Sequence, residues 1–114
     1  MFDFQKLTVY NKAKSLNLKV AELLKVVKID RVTNDQLRRA AFSIMLNIAE
    51  GSGRFTKPDK RNFYVIARGS TFECVAILDY LRDIESIQQA EYDSFYSYLE
   101  ELSKMLFGLI KGLS

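Results

Sequence analysis

Thr33-Asn-Asp-Gln-Leu-Arg-Arg-Ala-Ala-Phe-Ser-Ile-Met-Leu-Asn-Ile-Ala-Glu-Gly51 decides the fold. It opens as a capping-box pattern, in which Thr33 accepts the Gln36 N–H and the Gln36 side chain reaches back to the cap. Leu37, Ala41, Ile44 and Ile48 then step by 4, 3 and 4, the spacing of one apolar stripe on an α-helix. Gly51 stands where a residue in the left-handed conformation would stop that helix.

On either side of this stretch the same spacing recurs three times. Upstream, Val9, Ala13, Leu16, Val20, Leu23 and Val27 form one stripe, with Asn11, Lys14, Ser15, Glu22 and Lys25 mostly opposite. Downstream, Thr56 caps a third helix that tolerates Pro58 in its first turn, where a missing N–H is no loss. Its expected core stripe is Phe63, Ala67, Ser70, Cys74, Ile77, Leu81 and Ile84. A fourth helix starts near Gln89 and lines up Tyr92, Phe95, Leu99, Leu102, Leu106, Leu109 and Leu113. Four helices joined by short links require antiparallel neighbours, so the fold is all-α, an up-down-up-down four-helix bundle filling 1–114 as a single domain.

Composition agrees, and it removes whole classes of chemistry. With 48% apolar and 27% charged residues in 114 positions, the chain has the mix of a core-forming domain. The absence of His excludes imidazole-dependent triads, His-containing zinc sites and the Glu-x-x-His pairs of a di-iron bundle. One Cys, Cys74, excludes an internal disulfide, and its place in a core stripe makes it a small hydrophobe. No nucleophile, base and stabiliser can be assembled, so neither an enzyme nor a cofactor or metal site is expected. The most apolar run, Ala40 to Ala49, is half a membrane span, and a cytoplasmic protein is the expectation.

Charge is uneven. Residues 1–70 carry 14 Lys/Arg against 6 Asp/Glu, and residues 71–114 carry 3 against 8. This asymmetry fits either a nucleic-acid surface or complementary faces of neighbouring helices or subunits. Two helices also carry a second apolar face: Phe42, Met45 and Leu46 on helix two, and Val65, Gly69, Phe72 and Ala76 on helix three. A helix apolar on two sides is buried on two sides, which predicts homo-oligomerisation through these helices. Gly69 would let another helix approach closely.

Ser43-Ile-Met-Leu-Asn-Ile-Ala-Glu-Gly-Ser-Gly-Arg54, followed by Phe63-Tyr-Val-Ile-Ala-Arg-Gly-Ser-Thr-Phe-Glu73, resembles the bacterial 23S ribosomal RNA intervening-sequence (S23) protein family. The likeness extends to Phe4-Gln-Lys-Leu7, Leu37-Arg-Arg-Ala-Ala41 and Lys104-Met-Leu-Phe-Gly-Leu-Ile110; Phe72-Glu-Cys74 departs from a more Leu-rich family pattern. The resemblance implies a compact bundle and a ring-like homopentamer. It also extends to the accessory variability protein of diversity-generating retroelements, a basic pentameric barrel that works with nucleic acid.

Within the motif, Ser43, Asn47 and Glu50 form a polar shoulder beside the core stripe. Glu50 is expected to pair with Lys60 or Arg61, and Arg38 or Arg39 with Glu73; such a network sets helix register or forms a polar site on the assembled surface. Gly51-Ser-Gly53 follows a helix and lacks the spacing of a phosphate-binding loop. The candidate binding surface is the next turn, Arg54, Phe55, Lys57, Lys60 and Arg61, a net +3 with Asp59 included. Cations beside an aromatic hold phosphate and stack a base. An exposed Phe55 favours binding, whereas a packed one favours a plain solvated turn. Two functions follow: an oligomeric accessory protein for RNA or DNA, or a scaffold for another protein.

Overall fold

The computed structural model describes residues 1–113. After a short 3-10 turn at Asp3–Lys6 come α1 (Thr8–Val26), α2 (Arg31–Ser52), α3 (Lys57–Asp83) and α4 (Gln89–Gly112). Cross-helix contacts give the directions. Gly51 of α2 lies against Phe63 and Tyr64 of α3, while Ser43 meets Ser70. Arg68 and Arg82 of α3 stack on Phe107 and Tyr92 of α4 respectively. Lys12 of α1 meets Tyr98 and Glu101 of α4. In each α2–α3 and α3–α4 pair the number rises on one helix as it falls on the other, which makes them antiparallel. The links of a few residues between helices complete the alternation.

The stripes of α1 and α2 are buried as their spacing requires: Val9, Ala13, Leu16, Val20 and Leu23 on one, Leu37, Ala41, Ile44 and Ile48 on the other. Leu99, Leu102 and Leu106 lead α4, with Tyr92, Phe95, Leu109 and Leu113 packed at the margin.

Three local expectations are corrected. Asp30, not Thr33, caps α2: its carboxylate accepts the Thr33 N–H at 3.1 Å and the Thr33 hydroxyl at 2.5 Å. Gly51 does not stop α2. It is helical and buried, and Gly53 closes the helix in the right-handed region. The core stripe of α3 includes Tyr64, Thr71 and Leu78, while Phe63 and Ile77 are half-buried and Ile84 is exposed. Ala67, Cys74 and Leu81 are buried as expected, but Tyr64, Thr71 and Leu78 rather than Phe63 and Ile77 complete the row, so the core lies on the other side of that line of the helix.

The link from α3 to α4 holds a feature without a sequence signal. Ser86 N–H reaches Leu81 O at 2.9 Å and Glu85 N–H reaches Arg82 O at 2.9 Å, the paired bonds of a Schellman stop. Glu85 takes the left-handed position, at φ 62°, that glycine usually fills.

Candidate nucleic-acid interface

The α2–α3 turn is built by a close approach. A Cβ at Gly51 would lie 2.9 Å from Phe63 Cβ and 3.0 Å from the Tyr64 ring, so only glycine lets the two helices meet there. The chain then turns in four residues, and Thr56 Oγ1 caps α3 by accepting the Asp59 N–H at 3.3 Å. Phe55 projects from this turn at 101% relative exposure, touching no core.

The surrounding cations divide into two kinds. Arg54 donates to Glu50 at 2.7 Å and stacks over the Phe63 ring at 4.5 Å. Lys60 Nζ donates to the Ser52 carbonyl at 2.8 Å, satisfying one of the orphan acceptors at the end of α2. Lys57 and Arg61 are exposed, and among the described residues neither has an ion pair. The expected pairing of Glu50 with Lys60 or Arg61 is therefore replaced by Glu50–Arg54, one helical turn away on its own strip of surface.

The polar shoulder does join α2 to α3, through hydroxyls rather than ions. Ser70 donates to Ser43 Oγ at 2.7 Å, and Asn47 donates back to Ser43 O and Oγ at 2.8 and 3.1 Å. Arg38 and Arg39 make no ion pair with Glu73 among the described residues. Glu73 lines a groove with Thr33 and Gln36, whereas both arginines are solvated, where a pair would gain little.

Phe42, Leu46, Val65 and Phe72 are 43–56% exposed, Gly69 and Ala76 are exposed, and Met45 alone of the expected second faces is partly buried against the core. Beside Phe72 lies a residue the sequence reading passed over. Arg68 has its guanidinium 4.9 Å from the Phe72 ring and 5.4 Å from the Phe107 ring, and its Nε is shielded from solvent with no hydrogen-bond partner. Its place four residues before Phe72 was the only signal.

Cys74 is buried, and desolvation, followed by the charge of Glu73, pushes its thiol up to about 12. No group of His, Cys, Asp or Glu able to hold a metal occurs among the described residues. No helix among them is long and apolar enough to cross a membrane.

Folding turns the front-to-back charge asymmetry into an end-to-end one. The end with the α2–α3 turn comprises 3–14, 50–61 and 104–113, with nine cations against three anions. The opposite end, 22–35 and 79–93, has four against eight.

Comparison places this architecture among known proteins. A crystal structure of a protein of unknown function from the S23 ribosomal protein family of Bacteroides thetaiotaomicron matches with a TM-score of 0.85 at 25% identity, covering 91% of this chain and 99% of that one. No curated protein matches the chain. The family described as 23S rRNA-intervening sequence protein matches residues 5–108, nearly the whole bundle, and the chain belongs to that family.

Proposed function

We propose that this is a non-catalytic, cytoplasmic, homo-oligomeric accessory protein that binds single-stranded RNA through its α2–α3 turns. One observation carries the reading: a fully exposed phenylalanine, Phe55, flanked by Lys57 and Arg61, two cations with no ion pair among the described residues. A bare aromatic on a turn loses free energy in water and gains it by stacking on a base, at about 1–3 kcal/mol per base. Arg54 and Lys60 hold the turn in shape and add to its field, while Lys57 and Arg61 contact phosphate. Assembly through the exposed apolar faces of α2 and α3 supplies several such turns, so weak sites add up. Resemblance to ring-forming relatives makes a pentamer the proposed form, and the family's name makes RNA the preferred nucleic acid.

The test is fluorescence anisotropy with a labelled oligouridine. Binding by the wild type should fall with log salt at a slope of about −1.4 per protomer for two neutralised phosphates. Lys57→Glu with Arg61→Glu should abolish binding with helicity unchanged, and Phe55→Ala should weaken it at least fivefold. Absence of binding at low salt, or equal binding by the charge-reversed variant, overturns the reading.

A further inference from the structure

Arg68 is a half-buried cation that has no ion pair among the described residues. It lies in a groove of about 550 Å3 between α3 and α4, held between two half-exposed phenylalanines. Arginine between aromatic rings is the composition of an interface anchor. The α3 edge of this groove reads, from its C-terminal end, Asp79, Val75, Phe72, Arg68, and Arg82, which pairs with Asp79 and Asp83 and stacks on Tyr92, continues the same strip beyond it. Steps of three and four keep these five on one strip of the helix.

The exposed face of α2 is a second strip of the same length. It reads Asp35, Arg39, Phe42, Leu46, Glu50, and α1 and α3 leave all five exposed. Laid antiparallel, the strips meet as Asp35 on Arg82, Arg39 on Asp79, Phe42 on Val75, Leu46 on Phe72, and Glu50 on Arg68. Paired residue numbers sum to 117 or 118 throughout, so one register satisfies every pair. The strips span 15 and 16 residues, about 21–23 Å of helix. On the far rim of the groove, Glu100 and Lys104 are opposite in sign and one turn apart, so they neither favour nor oppose a particular docking direction.

We infer that the α2 face of one copy docks into the α3–α4 groove of the next, with Glu50, whose Oε1 is held by Arg54, offering its carboxylate to Arg68 as well. The inference rests on the homo-oligomer proposed above and names its contact. Because α2 and α3 are antiparallel within each copy, an antiparallel α2–α3 contact between copies leaves all subunits the same way up. The contact joins two different surfaces and propagates head to tail, as a closed ring requires. A helix laid in an apolar groove with charges set at both ends is a recurring recognition mode.

Charge exchange tests it, using size-exclusion chromatography with light scattering at micromolar concentration. Glu50→Arg and Arg68→Glu should each raise the concentration needed for assembly at least tenfold and leave a folded species of 13.2 kDa. The double variant should regain the wild-type mass. Arg39→Asp and Asp79→Arg, both in exposed or half-exposed positions, provide a second exchange should Arg68→Glu fail to fold. Wild-type assembly that either set of single reversals leaves intact, or that a folded double variant fails to restore, overturns this contact and not the oligomer. A wild type that stays at 13.2 kDa overturns both.

Discussion

Gly51 and Gly108 are both helical glycines, and a methyl group meets different surroundings at each. At Gly51 it collides with Phe63 and Tyr64, at Gly108 it meets nothing within 4 Å. Overpacking costs about 1–3 kcal/mol against a helix-propensity gain of about 1 kcal/mol. Gly51→Ala should therefore lower the melting temperature by several degrees, and Gly108→Ala should raise it slightly; thermal unfolding followed by circular dichroism checks both. Glu85 offers the reverse experiment. Its left-handed backbone favours glycine by about 1 kcal/mol, so Glu85→Gly should stabilise, against the usual direction for such a change. Cys74 gives a pH signature. Burial keeps its thiol protonated in the folded chain, so its contribution is intact below 9.0 and is lost as pH climbs toward about 12. Burial pushes Tyr64 upward too, so the effects have the same sign. In Cys74→Ala the urea midpoint should fall less steeply between pH 8.5 and 11; an unchanged slope refutes the assignment.

At the scale of the element, stripes were legible and ends were not. The four helices and the core residues of α1, α2 and α4 follow from apolar spacing alone, because one face of each meets the bundle along its whole length. The α3 stripe slipped because Phe63 and Tyr64, Ser70 and Thr71, and Ile77 and Leu78 flank the Ala67–Cys74–Leu81 row with similar residues on both sides, so spacing alone does not choose between them. Asp30 and Thr33 are both good caps three residues apart, and only the path of the preceding link decides between them. Asp30 is held below the usual carboxylate range, first by the Thr33 hydroxyl and then by the Thr33 N–H. Its contribution is present above the ordinary 3.8 and disappears as pH falls through the lowered value. Asp30→Asn keeps a capping oxygen without the charge, so it should be slightly less stable than the wild type at pH 7 and lose less stability on acidification, the two converging in acid. The α1–α4 seam depends on Tyr98, whose hydroxyl donates to the Lys12 carbonyl at 2.8 Å under the Lys12 ammonium. Tyr98→Phe should cost about 1 kcal/mol in urea unfolding.

For the whole molecule, the candidate site was only half legible. That cations cluster at the α2–α3 turn is plain from composition. Which of them are already engaged, and that Phe55 stands clear of the bundle, depends on the close approach at Gly51 that sets the direction of the turn. The exposed apolar faces were legible because a small bundle needs one stripe per helix, whereas the groove that holds Arg68 needs two helices in register. Phe72 is already half exposed in the single chain, so Phe72→Glu should dissociate the assembly and leave helicity intact. A misfolded variant would instead place Phe72 in the core. The end-to-end separation of charge has its own consequence. Subunits standing the same way up would add their dipoles rather than cancel them, giving a disc with one cationic and one anionic face. Such a disc would settle on a negatively charged support like a weighted coin, the same side down each time, and a strand of RNA would meet all its Phe55 side chains from a single direction.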